Sequence, residues 1–377
     1  MKVSRRKFIN TMAGTVVVII LGVIICGCSK ISSKNIPAIS LDEKIGKMLM
    51  IGFRGLSVDD NSLIVNDIRK YKIGGVILFD RDVAAGTTVR NIQSADQVRS
   101  LTGQLQKYAG GNLLIAIDQE GGRITRLKEK HGFAKSLSHK QLGIKNDLDY
   151  TYQQASEIAA SLADVGVNMN MAPVVDLAIN PDCPVITKLE RSFSANPAIV
   201  VRNARAYIKA HHDKGVICCL KHFPGHGSSA ADSHIGVTDV SDTWSEVELT
   251  PYKELIASGD ADAIMTGHLY NSNLDGDYPA TLSQATLIGI LRNQLNYKGV
   301  IISDDLQMGA IAKEYGFQQT VEKAVLAGVD ILLFANNSVY DPEVAGKTVA
   351  VIKDMIKKGI IDEQRIDQSY QRIMEIS

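Results

Sequence analysis

The feature that most constrains this chain is a rhythm of eight short apolar runs separated by longer polar or helically periodic segments. The runs span residues 48–53, 75–79, 113–118, 168–175, 216–223, 263–269, 299–304 and 331–335. Apolar stretches this short, without polar alternation, read as strands buried on both faces, the condition of parallel strands joined by crossover helices. The helices between them are clearest at 95–108, 150–165, 197–214, 284–295, 318–327 and 344–358. Ser40-Leu41-Asp42-Glu43 opens the first helix as a capping box. Eight strand–helix units close a (β/α)8 TIM barrel, whereas an open doubly wound sheet usually has fewer strands and often a glycine-rich phosphate turn. Neither G-x-G-x-x-G nor a Walker sequence occurs here. The fold expected is therefore α/β, one (β/α)8 barrel over residues 38–377, with the residues after 335 serving as closing helices.

Of 377 residues, 45% are hydrophobic and 22% charged, the balance of a globular chain with a sizeable core. Lys+Arg and Asp+Glu are equal at 41 each, so no net field draws in nucleic acid. No obligate protein partner is evident either. The N-terminus differs from the rest. Lys2, Arg5, Arg6 and Lys7 precede an apolar run over 11–26, the layout of an export signal and short for a membrane span. Ser4-Arg5-Arg6-Lys7-Phe8-Ile9 resembles a twin-arginine signature, and Ile25-Cys26-Gly27-Cys28 resembles a lipobox whose last cysteine is acylated. The expectation is a signal over 1–28, lipidation at Cys28, a tether over 29–37, and an extracytoplasmic, membrane-anchored lipoprotein. An uncleaved N-terminal anchor is the other reading, and it too leaves the barrel outside the membrane. Cys183, Cys218 and Cys219 remain, an odd number that gives no disulfide framework and reads as small core residues. No Cys/His spacing suggests zinc, and neither a metal nor a cofactor is expected.

In a barrel of this kind chemistry sits where strands end. The runs end in Asp80 with Arg81, Asp118 with Gln119 and Glu120, Asp176, Lys221 with His222, His268, Asp304 with Asp305, and Asn336 with Asn337. A ring of carboxylates, histidines and a lysine suits a polyhydroxylated ligand, which needs many directed hydrogen bonds. Hydrolysis of an acetal needs a proton donor for the leaving oxygen and, in the retaining case, a carboxylate that traps the oxocarbenium-like centre. Asp304, directly after the strand-like run that starts at Gly299, is placed for the second task. Asp305 is expected to face away from the axis or toward a helix N-terminus. The proton donor is expected from the glycine- and serine-rich segment 225–234, flexible enough to close over a sugar. There Asp232 and His234 lie two apart, and an aspartate beside an imidazole fixes its tautomer and stabilises its protonated form. Three histidines in this stretch could instead bind metal, although zinc sites built on histidine favour rigid, regular spacing.

Lys221-His222-Phe223-Pro224-Gly225-His226-Gly227 with Asp232-Ser233-His234 closely resembles the signature of glycoside hydrolase family 3, in its β-N-acetylglucosaminidase branch. Supporting matches run in order from residue 40 to the C-terminus, among them Asp118-Gln119-Glu120-Gly121-Gly122-Arg123, Glu190-Arg191-Ser192-Phe193 and Ser303-Asp304-Asp305-Leu306. The resemblance implies that Asp304 forms a covalent glycosyl intermediate and that His234, oriented by Asp232, is the acid/base. It implies further that Asp118, Arg191, Lys221 and His222 hold sugar hydroxyls. The implied activity is release of terminal, non-reducing β-linked N-acetylglucosamine, typically from cell-wall fragments. Ser228-Ser229 stands where that branch often has Asp-Thr, and Gly267 where Ala is common; the first departure alters the catalytic loop. A β-glucosidase or a glycoside phosphorylase on the same scaffold stays open, as does a non-catalytic lipoprotein that binds wall sugars.

Overall fold

The computed structural model describes residues 39–231 and 236–377, and within them all eight apolar runs carry a strand. The expected signal and tether with Cys28, and the pair Asp232 and His234, lie outside the described residues. The strands are β1 (Leu49–Gly52), β2 (Gly75–Leu78), β3 (Leu114–Ile117), β4 (Met169–Asn170), β5 (Ile217–Phe223), β6 (Ala263–Thr266), β7 (Val300–Ile302) and β8 (Leu332–Phe334). All pair in parallel, β8 with β1 and then each with its successor through β7. The register includes Leu49 opposite Leu332, Ile77 opposite Ala116 and Ala263 opposite Val300.

One parallel bridge, Ile302 with Ile331, joins β7 to β8 and closes the ring. Side chains finish this seam: Leu333 N donates to Ser303 Oγ at 2.9 Å and Ala335 N to Asp305 Oδ1 at 3.0 Å. Residues 303 and 305 thus face β8, and residue 304 between them does not share that ladder. The expectation that Asp305 turns from the axis or meets a helix N-terminus is corrected here. Its carboxylate is a seam partner that also lines the cavity, and the helix that follows is capped at Met308.

The helices form where local chemistry favours them. In α1 (Leu41–Lys47) Ser40 Oγ accepts from Glu43 N at 3.2 Å, and in α3 (Ala95–Ala109) Ser94 caps while Gly110, at φ 78°, ends the helix. α5 (Leu148–Asp164) starts on Asp147, and α6 (Pro197–His212) on Asn196 with Pro197 in the first turn. The run 284–295 forms a π-helix, Ala285–Gln294, and 318–327 is the second part of α8 (Gly309–Ala327), which bends at Gly316. Four helices are not among those singled out from the sequence: α2 (Leu63–Tyr71), α4 (His139–Lys145), α7 (Thr250–Ala257) and the closing α10 (Glu363–Ile376) after α9 (Val344–Lys357).

Leu49, Ile115, Leu220, Ile301 and Leu332 are fully buried, each worth about 1.5–3 kcal/mol relative to exposure. Cys183, Cys218 and Cys219 are buried free thiols. The fourth strand is shorter than its apolar run because Pro173 has no N–H to give the ladder. Beyond it the chain still follows its neighbour, with Val175 N donating to Lys221 O at 3.0 Å.

Candidate active site

Since every strand runs the same way, the polar groups after each strand gather at one end of the ring. There a cavity of about 450 Å³ is lined by Asp80, Asp118, Glu120, Arg126, Arg191, Lys221, His222, Asp304 and Asp305, among others. Four expected ligand-binding residues, Asp118, Arg191, Lys221 and His222, therefore meet Asp304 around one space, although they are spread over nearly half the chain.

A charge-paired lattice fixes them. Lys221 Nζ lies 2.8 Å from Asp118 Oδ1 and 2.9 Å from Glu120 Oε1. Glu120 also receives Arg191 in a two-pronged pair, Nε to Oε2 at 2.8 Å and Nη2 to Oε1 at 2.7 Å. Arg126 Nη2 reaches Asp118 Oδ2 at 3.2 Å. Burial alone would raise the Asp118 and Glu120 carboxyls, but Lys221 with Arg126, and Arg191 with Lys221, outweigh it and hold both well below the ordinary carboxylate range. The same carboxylates overcome burial at Lys221 and keep its ammonium charged. Both carboxylates are thus acceptors only, and Lys221 and Arg191 are donors only.

His222 is held from both ring nitrogens. Its Nδ1 lies 2.7 Å from Asp176 Oδ2, and its Nε2 lies 3.2 Å from Arg191 Nη2, which can only donate. The proton consequently sits on Nδ1. Burial, then Arg191 and Lys221, push its pKa well below the usual histidine value. His222 is accordingly a neutral polar contact rather than a proton donor near neutrality.

Strand-end residues that do not line the cavity serve those that do. Asp176 also accepts from His222 N and His226 N, at 3.1 and 2.8 Å. Gln119 Oε1 accepts from Arg126 N and Leu127 N, at 2.9 and 3.0 Å, shaping the loop that delivers Arg126. His268 spans Thr281 Oγ1 at 2.8 Å and Asp305 O at 2.9 Å. Sequence reasoning placed Glu120 and Asp80 at strand ends without a role, and Arg126 not at all. A basic residue in a loop after a strand carries no periodic signal; only the turn imposed by Gln119 brings it back. Asp80 pairs with Lys128 at 2.5 Å, while its Oδ1 and the Nε of Arg126 are buried without a hydrogen-bond partner. Among the described residues no cluster of His, Cys, Asp and Glu is arranged to hold a metal. A rim of charge-paired acceptors and donors, with a carboxylate at the strand-7 end, is a receptor for hydroxyl groups and a place where positive charge can be stabilised.

The model of the glycosyl hydrolase family 3 N terminal domain matches residues 40–376. A β-hexosaminidase A of Pseudoalteromonas piscicida is 33% identical over 332 residues, 82% of this chain, and the chain spans about half, 54%, of that protein's length. A β-hexosaminidase of Tolumonas auensis is 36% identical over 300 residues, covering 77% of this chain and 83% of that one. Among solved structures, a glycoside hydrolase family 3 β-N-acetylglucosaminidase from Paenibacillus sp. superposes with a TM-score of 0.81 at 34% identity, covering 90% of this chain and 62% of that chain.

Proposed function

As the chain belongs to glycosyl hydrolase family 3, we propose that it is a retaining exo-β-N-acetylglucosaminidase that releases terminal, non-reducing β-linked N-acetylglucosamine. The observation that carries this reading is the joint presence, around one cavity, of Asp304 and the lattice of Asp118, Glu120, Arg191, Lys221 and His222. In the reaction proposed, an Asp304 oxygen attacks the anomeric carbon as the glycosidic C–O bond breaks. His234, oriented by Asp232, gives its proton to the departing oxygen. His234 then takes a proton from the water that attacks the anomeric carbon, and Asp304 leaves as carboxylate. Asp118, Arg191, Lys221 and His222 fix the sugar hydroxyls while this happens. Peptidoglycan fragments are the proposed source of substrate, and lipidation at Cys28 the proposed attachment to the outer face of a membrane.

The test is turnover of nitrophenyl β-N-acetylglucosaminide and of the matching β-glucoside. The wild type should prefer the first, and Asp304→Ala should lose activity on both. A preference for the glucoside would make the protein a β-glucosidase instead, and full activity in Asp304→Ala would refute the nucleophile.

A further inference from the structure

Glu248 is a buried carboxyl with no cation against it among the described residues. It sits in a single turn, Glu246–Leu249, just before α7, and is 1% exposed. Among the described residues, the titratable groups facing it are Asp176, from the end of the fourth run, and Tyr252, from α7. A carboxyl taken out of water without a counter-charge must be compensated by hydrogen bonds. Here the compensation is a single backbone N–H. Glu248 Oε2 accepts from Gly227 N at 3.1 Å, while Glu248 Oε1 and the Ser228 hydroxyl are buried without a hydrogen-bond partner.

The turn is built to lie on this side chain. Gly225 has φ +127°, and a Cβ there would stand 2.6 Å from Glu248 Cβ. At Gly227 a Cβ would meet Leu177 O at 1.6 Å, so the opposite side is closed as well. Asp176 meanwhile holds residues 222 and 226 by their N–H groups. Two buried carboxyls thus grip one turn, Asp176 from the barrel side and Glu248 from the side of α7. Directly after it Ser229 is pinned, its carbonyl accepting from Asn180 Nδ2 at 2.9 Å and its hydroxyl donating to His226 O at 2.9 Å. Only two residues separate Ser229 from Asp232 in the sequence.

We propose that Glu248 is a positioning residue for proton transfer: by holding Gly227 it fixes the turn from which the chain continues in sequence to Asp232 and His234. The proposal rests on the assignment of the acid/base to that pair. It also gives the step a pH response. Burial, with Asp176 adding to it, pushes the Glu248 carboxyl up to about 7. Backbone N–H donors favour the charged form, so the grip is firmest above that value and slackens as Glu248 protonates below it.

The experiment compares the full-length wild type with Glu248→Met, which keeps side-chain volume without an acceptor, and Glu248→Gln, which keeps an acceptor without a titration. Each is assayed on a dinitrophenyl β-N-acetylglucosaminide, whose leaving group needs no proton, and on an alkyl β-N-acetylglucosaminide, whose leaving group does. Glu248→Met should lose about tenfold or more in kcat on the alkyl glycoside, part of the 10²–10⁴ that general acid catalysis supplies, and under about threefold on the dinitrophenyl one. Glu248→Gln should recover most of that loss and lack an inflection near pH 7 in kcat on the alkyl glycoside. Equal losses on both glycosides, or none, overturn the proposal; should Glu248→Met fail to fold, an unchanged inflection in Glu248→Gln overturns it. His234→Ala, run alongside, separates the two ideas. Leaving-group discrimination in His234→Ala without any in Glu248→Met sinks the positioning role alone, and its absence in His234→Ala sinks the acid/base assignment.

Discussion

Glu120 shows what a single side chain contributes to a site it was not expected to organise. Its two oxygens receive Arg191 through two N–H groups, and Lys221 lies 2.9 Å from one of them. Both cations are otherwise aimed at the cavity, so Glu120 fixes the donors that the sequence did single out. Breaking a buried pair from one side leaves charge uncompensated, and Glu120→Gln should cost about 3–5 kcal/mol at pH 7. The carboxyl is held below its unfolded value, so the stability it adds is complete above about pH 4.5 and declines as pH falls toward the folded value. Urea unfolding of wild type and Glu120→Gln at pH 7 and pH 3 should therefore give a smaller difference at pH 3; an equal difference would show that the loss is one of packing and not of charge. Asp304, Lys221 and His222 were legible because they end apolar runs. Glu120 ends a run too, but its role was not legible, and neither Arg126 nor Glu248 was singled out, because partnerships 71, 8 and 21 residues apart leave no local period.

Elements were legible to the extent that burial imposed a period. The eight strands are buried on both faces and stood out as unbroken apolar stretches, and α3, α5, α6 and α9 carry well-marked apolar stripes. α2 was missed despite a strong apolar stripe, being only 9 residues long and without a side-chain cap; Asp67 lies in its buried face, 7% exposed. Burial pushes this carboxyl up to about 7, with Lys70 opposing only in part. For a carboxyl whose folded value is raised, the sign is the reverse of Glu120: its favourable contribution is complete below about pH 4 and is lost as pH rises through 7. Asp67→Asn should then raise the midpoint of thermal unfolding at pH 8 and leave it nearly unchanged at pH 4, measured by circular dichroism. A variant less stable than wild type at pH 8 would mean that the charged form is the one α2 accommodates. α10 was expected only as an unspecified closing helix, although it buries Ile366 and Ile373 in the core.

Taken as one object, the barrel separates its reactive rim from the features that hold it shut. Asp330, buried before β8, lies at the opposite end from the cavity. It is met by Arg292 at 2.6 Å, Arg372 at 3.0 Å and Ser369 Oγ at 2.7 Å, and accepts from Ile301 N at 2.9 Å. Arg365 adds bonds from α10 to the carbonyls of Val325 and Val329. One carboxylate thus ties the last helix to the closing strands. Asp330→Asn should lower unfolding stability by about 3–5 kcal/mol and speed amide exchange along α10. Activity per folded molecule at 25 °C should stay within about twofold, since stability changes away from the chemistry act on abundance more than on turnover. A large loss of kcat with α10 still protected would place the effect in the rim after all.

The join between β7 and β8 gives the design its economy. Ser303 and Asp305 act as the clasp of a hoop, each fastening one amide of the neighbouring stave, and Asp304 is the stone set between them. A loosened clasp would let the hoop spring and tilt the setting in the same movement. A substitution at any of these three positions therefore bears on staying round and on aim together.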